Sequence, residues 1–256
     1  NSWTQWINRP TGCNGGTKSK YSPPDGGLMS FGPSRLKTKE AADYENADFT
    51  ARLLLDGTAT TPPGGRNKDG STATVKLPHD QPFFLAVGIF RPHLPFHAPQ
   101  EFFDLFPTAE MSGLNRANLD AIIADLKDIP PDGMRFSDFG NGKMKTIMDN
   151  ARKIGGAQGE IAAWRELVQA YLACVSFADT CIGRIVEGYK NSPHYDNTVL
   201  VLWSDHGYHV GSKYHVAKQA LWETANNTVL LVHDPRNPAT LDGQPRRQIV
   251  GLTDLY

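Results

Sequence analysis

The chain has 256 residues, 39% hydrophobic and 10% aromatic, enough to bury one sizeable core without requiring a second domain. Its 26 basic and 27 acidic side chains leave a formal net charge of −1, which argues against the broad positive field of a nucleic-acid binder and the polybasic signal of a membrane-surface protein. The longest apolar runs, such as residues 198–203, fall far short of the roughly 20 residues that span a bilayer, and Cys13, Cys174 and Cys181 are too few for a disulfide scaffold.

Residues 1–10 show no initiator Met, no charged leader and no apolar leader core, so the chain is expected to begin in mid-protein. Up to about residue 79 the sequence is rich in Gly, Pro, Ser and Thr. Turn signals at Gly15-Gly16, Pro23-Pro24, Gly26-Gly27 and Pro62-Pro63-Gly64-Gly65 mark it as irregular surface. Within it, Tyr44, Ala47, Ala51 and Leu54 recur at three- and four-residue intervals and predict a helix near 44–55. The run Phe83-Phe84-Leu85-Ala86-Val87, bounded by Pro82 and Gly88, predicts a strand buried on both faces, and a loop dense in Pro and His follows over 91–99.

Helices are predicted near 116–126 and over 157–189. In the second, Ile161, Trp164, Val168, Tyr171, Val175, Ala178, Ile182 and Ile185 follow the spacing of an inward face. Cys174 and Cys181 lie on that helix, about 10 Å apart along its axis at 1.5 Å per residue, and read as buried, unbonded thiols. After a turn over 191–197, residues 198–203 predict another buried strand and 228–232 a further one. Ile249-Val250 predicts the start of a strand and Thr253-Asp254 the start of a helix. A long helix followed by a buried strand is the repeating unit of an α/β fold. The expected architecture is therefore a mostly parallel sheet flanked by helices, its core over residues 81–256 and residues 1–80 irregular.

Ligands collect outside the carboxyl ends of the strands in such sheets, which directs attention to two loops. After the 198–203 run come Asp205, His206, His209, Lys213, His215 and Lys218. Singly these are turn caps and surface charges; together, a strand-end Asp followed by several cations suits a metal and an anionic substrate. After the 83–87 run comes Arg91-Pro92-His93-Leu94-Pro95-Phe96-His97, where prolines on either side of His93 restrict its backbone, as a catalytic imidazole requires. The competing reading is a rigid loop whose histidines bond only to main chain.

The stretch from Pro82 through Phe96, Pro99, Phe102 and Phe106-Pro107 resembles the P-F-F-L-A-V-G-x-x-x-P-H-x-P-F block of the iduronate-2-sulfatase branch of sulfatases. Ser204-Asp205-His206-Gly207-Tyr208-His209-Val210-Gly211, with Lys218 and Leu221-Trp222-Glu223, resembles that branch's S-D-H-G-x-x-x-G segment and its downstream Lys and L-W-E. The resemblance extends over residues 43–256. It implies the alkaline-phosphatase-like α/β fold, with residues 1–256 forming the later part of one catalytic domain. It also implies hydrolysis of a sulfate ester, of a sulfated carbohydrate in the first instance, in a periplasmic, secreted or lysosome-like setting. Calcium and a formylglycine are the implied cofactors. By motif, Asp205 and His206 are the metal-facing pair, Asp205 being the better match to a hard cation. His93 is the acid at the leaving-group oxygen and Lys218 the sulfate clamp. His209, His215 and Lys213 are candidate substrate-rim residues, and Ser212 stands where relatives often have Glu.

The family nucleophile lies in C-x-P-S-R or its Ser variant, close to an Asp-Asp metal pair, and neither pattern occurs in this chain. Phe31-Gly32-Pro33-Ser34-Arg35 copies only the ending, and Cys13 is not followed by Pro-x-Arg. The chain is therefore expected to carry half of a pocket that a further segment completes. A phosphodiesterase or phosphonate hydrolase of the same superfamily, or a noncatalytic sulfate-binding relative, are the alternatives.

Overall fold

The computed structural model describes residues 16–22, 29–61, 72–78, 81–237 and 243–255, the side chains of 138 and 139 excepted. Cys13, Tyr256 and the turn signals at 23–27 and 62–65 lie outside these residues.

Helix α1, Ala42–Asp56, forms over the predicted apolar stripe and buries Ala47, Phe49, Ala51, Leu53 and Leu54. Strands β1, Thr58–Thr60, and β2, Thr74–Lys76, pair antiparallel within the segment read as irregular. The signal for them was the β-branched alternation Thr58-Ala59-Thr60 and Thr74-Val75, and the Thr60 and Thr74 hydroxyls hydrogen-bond across the pair at 2.9 Å. Helix α2 spans Gln100–Asp104. Helix α3, Arg116–Ala124, begins at Asn115, whose side chain accepts the Asn118 N–H at 3.0 Å.

Helix α4, Pro131–Lys190, is broken at Gly155 and Gly156, where the backbone leaves the helical region. Its second arm, 157–190, is the predicted long helix. The first arm, 131–154, was not predicted, because Gly133, Gly140, Asn141 and Gly142 depress helix propensity. Met144, Ile147, Met148 and Ala151 nevertheless fall on one face and are fully buried, so packing outweighs propensity there. In the second arm the buried face centres on Leu167, Ala170, Cys174, Phe177 and Cys181, while Val175, assigned to the inside by spacing, is 38% exposed. Small residues on that side admit close neighbours. Cys174 and Cys181 are both fully buried, as expected. The two long helices pack together, with Arg184 on α4 paired to Asp48 on α1 at 2.9 Å.

Strand β3, Leu200–Trp203, pairs antiparallel with β6, Leu230–His233, from Leu200↔His233 to Trp203↔Leu230. Between them in sequence lie the small hairpin of β4, His209–Val210, and β5, Val216–Ala217, and the short helix α5, Glu223–Asn226. This corrects the parallel orientation expected from sequence: the connection holds no long crossover helix, so the chain returns antiparallel. Parallel pairing among the described residues is confined to the bridges Phe31↔Phe96 and Ser34↔Pro99. The combination of helices and strands is α/β in class, with small sheets.

Three further expectations need correction. Residues 83–87 join no strand ladder; Phe83 and Leu85 pack on a minor core around Phe49 and Leu53, while Phe84 is 75% exposed. The run is thus half-buried on one face and exposed on the other. Strand β3 is half-buried rather than enclosed, and Trp203 is exposed. Ile249 and Val250 are exposed and outside any strand, with a single 3-10 turn, Leu252–Leu255, after them. No helix among the described residues is long and apolar enough to cross a membrane.

The main core gathers Phe31, Phe96, Phe102, Met144, Trp164, Leu167 and Phe177. Phe96 is at its centre, fully buried and edge-on to Tyr171 at 5.5 Å and Tyr208 at 5.8 Å. Phe96→Ala is expected to cost about 3–5 kcal/mol of stability, read as a lower denaturant midpoint at unchanged m-value; a loss below about 1 kcal/mol would contradict the packing described.

Candidate active site

Two loops meet at a cleft of about 360 Å³ lined by Phe90, Arg91, His93, Tyr171, Ser204, Asp205, His206 and Tyr208. The first loop is fixed from below by Asp43 at the start of α1. Its buried carboxylate accepts the Phe90 N–H at 3.2 Å and the Arg91 N–H at 2.9 Å. Arg91 in turn donates to the His93 carbonyl at 2.6 Å, and the His93 N–H reaches the Phe90 carbonyl at 3.0 Å. The His93 backbone is therefore held at both of its polar groups.

The His93 ring bonds through Nδ1 to the Leu94 carbonyl. A carbonyl can only accept, so Nδ1 carries a hydrogen and Nε2 is the nitrogen that gains or gives the second proton. His97, four residues on, behaves differently. Its two nitrogens bond to the Gly32 carbonyl at 2.7 Å and the Ser30 hydroxyl at 2.8 Å, and the ring is buried, so it ties the loop to residues 30–32. Phe31 lies in that partner segment and is 1% exposed, a core residue.

The second loop leaves the end of β3. The Ser204 hydroxyl donates to the His206 carbonyl at 3.0 Å, the Thr228 hydroxyl donates to the Ser204 carbonyl at 3.0 Å, and the Gly207 N–H reaches the Ala225 carbonyl at 2.8 Å. His206 Nδ1 bonds to the Gly207 carbonyl at 2.7 Å, which by the same logic leaves Nε2 with the lone pair when the ring is neutral. That Nε2 lies 3.3 Å from the exposed Asp205 carboxylate. The carboxylate and the imidazole are thus in direct contact with each other. Calcium takes six to eight oxygen ligands, and among the described residues no group of three or more His, Cys, Asp or Glu side chains gathers. By themselves these residues do not fit a calcium site; Asp205 alone has the chemistry of one of its ligands.

The cleft therefore unites His93, Asp205 and His206. Lys218 is not among the residues that line it; it directly follows β5, whose Ala217 pairs with His209. Lys213, Tyr214 and Ala217 are the non-glycine residues with positive φ among those described, and Ala217 at φ 104° immediately precedes Lys218. Strain of this kind collects at functional sites.

The other three candidates are placed elsewhere. Lys213 is paired to Asp125 at 2.5 Å. His209 and His215 are 1% and 0% exposed, pack edge-on to each other at 5.1 Å and both rest on Trp222. They support the hairpin and do not line the cleft. His209 Nδ1 meets the Ser212 hydroxyl at 2.7 Å, and His215 Nδ1 meets Asn141 Oδ1 at 3.1 Å. The His215 ring lies so close to Gly140 of α4 that a Cβ there would approach it to 2.0 Å. The cleft also contains two residues that the motif reading passed over, Tyr171 and Tyr208, stacked at 5.6 Å with 19° between planes. Burial pushes both phenols up, so they stay protonated. Tyr171 was legible only as part of a helical stripe.

The family model for sulfatases matches residues 68–256, and the chain belongs to the sulfatase family. A sulfatase of Formosa agariphila is 42% identical over 160 residues, covering 62% of this chain and 29% of the relative. The iduronate 2-sulfatase of Homo sapiens is 28% identical over 165 residues, covering 62% of this chain and 28% of the relative. The chain thus spans less than a third of the length of these curated relatives. A solved structure described as in complex with its substrate D-glucosamine-2-N, 6-O-disulfate overlaps 77% of this chain and 43% of its own, at 18% identity and a TM-score of 0.46.

Burial, and next the neighbouring His209, lower the His215 pKa from 6.5 to about 4. Between these values the unfolded chain binds a proton that the native state does not. The contribution of His215 is therefore complete above about pH 6.5, declines as pH falls toward about 4, and levels off below. Thermal midpoints measured across this range are expected to fall with pH, with a shallower slope in His215→Gln; identical slopes would contradict the assignment.

Proposed function

We propose that this chain carries the acid, the anion clamp and one metal ligand of a sulfatase that cleaves the sulfate ester of a carbohydrate. The observation that carries the reading is the convergence of the His93 loop and the Asp205-His206 loop, distant in sequence, on one cleft in a chain of the sulfatase family. The carbohydrate class follows the iduronate 2-sulfatase relative.

In this reading a nucleophile, assigned to no residue of this chain, attacks sulfur, and the bond from sulfur to the ester oxygen breaks. A sugar alkoxide is a poor leaving group, so protonated His93 donates its Nε2 proton to that oxygen and becomes neutral imidazole, its Nδ1–H still held by the Leu94 carbonyl. The Lys218 ammonium stabilises negative charge on the sulfuryl oxygens. Asp205 would supply one ligand to a divalent cation, whose remaining ligands these residues do not provide, and formylglycine would be the nucleophile the family leads one to expect. His209, His215 and Lys213 act on the hairpin that presents Lys218.

The intact enzyme is expected to hydrolyse sugar sulfates faster than matched phosphate esters. His93→Ala should lower kcat by about 10²–10⁴-fold on a sugar sulfate and by less on nitrophenyl sulfate, whose leaving group needs no proton. Lys218→Ala should lower kcat by about 10²–10³-fold on both. Steady-state rates at wild-type levels in both variants would defeat the assigned roles.

A further inference from the structure

Asp43 belongs to neither of the motifs that located the cleft, yet its side chain is wholly buried in the first turn of α1, where the helix terminus favours negative charge. Its two oxygens are engaged separately. Oδ1 accepts the Phe90 N–H at 3.2 Å and Oδ2 the Arg91 N–H at 2.9 Å. One carboxylate thus holds two successive peptide groups of a loop that lies 47 and 48 residues further along the chain.

The turn that begins at those two amides ends at His93. The Phe90 carbonyl accepts the His93 N–H at 3.0 Å, the Arg91 guanidinium donates to the His93 carbonyl at 2.6 Å, and Nδ1 is held by the Leu94 carbonyl. Side chains repeat the connection, since the Phe90 ring lies 4.8 Å from the His93 ring and 5.3 Å from the Arg91 guanidinium carbon. Each polar atom of His93 other than Nε2 is therefore bonded within residues 90–94, and the first two amides of that stretch rest on Asp43. The Asp205 loop is fastened elsewhere, to Thr228 and the Ala225 carbonyl. A disturbance at Asp43 is thus directed to the His93 side of the cleft.

We propose that Asp43 is a positioning residue for the acid. Through the Phe90 and Arg91 amides it sets where His93 Nε2 stands, and so how well the enzyme cleaves esters whose alcohol must be protonated as it leaves. General acid transfer works only within hydrogen-bond reach, and a misplacement of about 1 Å costs about 10²-fold in rate. The role requires a carboxylate, which accepts at both oxygens. Asn has the same size but accepts at one position and turns an NH₂ donor toward the other amide N–H, so one anchor is lost with the volume unchanged. The proposal rests on the sulfatase reading above and on His93 as its acid.

The test compares two kinds of ester in the intact enzyme: nitrophenyl sulfate, whose leaving group needs no proton, and the sugar sulfate cleaved fastest in a panel of hexose, hexosamine and uronate monosulfates. Asp43→Asn is expected to lower kcat on the sugar sulfate by about 10–10²-fold, by a much smaller factor on nitrophenyl sulfate, and to move neither KM appreciably. In a His93→Ala background the same substitution should have little further effect on the sugar sulfate, because the group it positions is gone. Arg91→Met, which removes the donor to the His93 carbonyl, supplies a second variant with the same expected pattern, and thermal midpoints show which variants are folded. Equal losses on the two esters, a wild-type rate on the sugar sulfate, or an undiminished loss in the His93→Ala background overturns the positioning role. Equal losses on both esters in His93→Ala alone are a different result: they remove His93 as the acid, and the proposal with it.

Discussion

The arrangement depends on one packing contact, the cluster of Phe96, Tyr171 and Tyr208. Each ring comes from a different part of the chain: the loop after 83–90, the second arm of α4, and the segment that leaves β3. Because the two tyrosines also line the cleft, the same rings that close the core form the floor on which His93 and Asp205 meet. Interiors pack at crystal-like density, so a shift in any one ring is transmitted to the others.

Around that floor, each loop is fastened to its own scaffold rather than to its partner. The His93 loop hangs on the buried Asp43 carboxylate and on Arg91, whereas the Asp205 loop hangs on Thr228 and on the carbonyl of Ala225. Groups held by rigid neighbours, with their own tips left open, are what the acid role proposed for His93 and the ligand role proposed for Asp205 both need. His209 and His215 extend the principle to the hairpin before Lys218, where two neutral rings and Trp222 fill space and, through Asn141 and Gly140, join the hairpin to α4.

Much of this was legible in the sequence wherever one residue type answers to one constraint. Apolar spacing located α1 and the second arm of α4, and the P-H-x-P and S-D-H-G blocks located both loops of the cleft. What spacing could not show was competition between local and tertiary terms. The glycines at 133, 140 and 142 disguised a helix that Met144, Ile147 and Met148 hold in place, and Gly140 is itself needed for the approach of His215. Continuous apolar runs predict enclosed strands, yet 83–87 and β3 each leave side chains exposed, because continuous hydrophobicity reports the environment a segment favours and not the number of its neighbours. Lys213, His209 and His215 shared a loop with the true cleft residues, and proximity in sequence alone could not separate them from it.

The convergence of His93, Asp205 and Lys218 on one tetrahedral anion is the central claim. An experimental structure of the intact enzyme with sulfate bound measures it directly. The expected result is a sulfate whose oxygens lie within about 3 Å of both His93 Nε2 and Lys218 Nζ, with the Asp205 carboxylate facing the same pocket. A sulfate bound away from the His93 cleft, or a Lys218 ammonium directed to another surface, would contradict it.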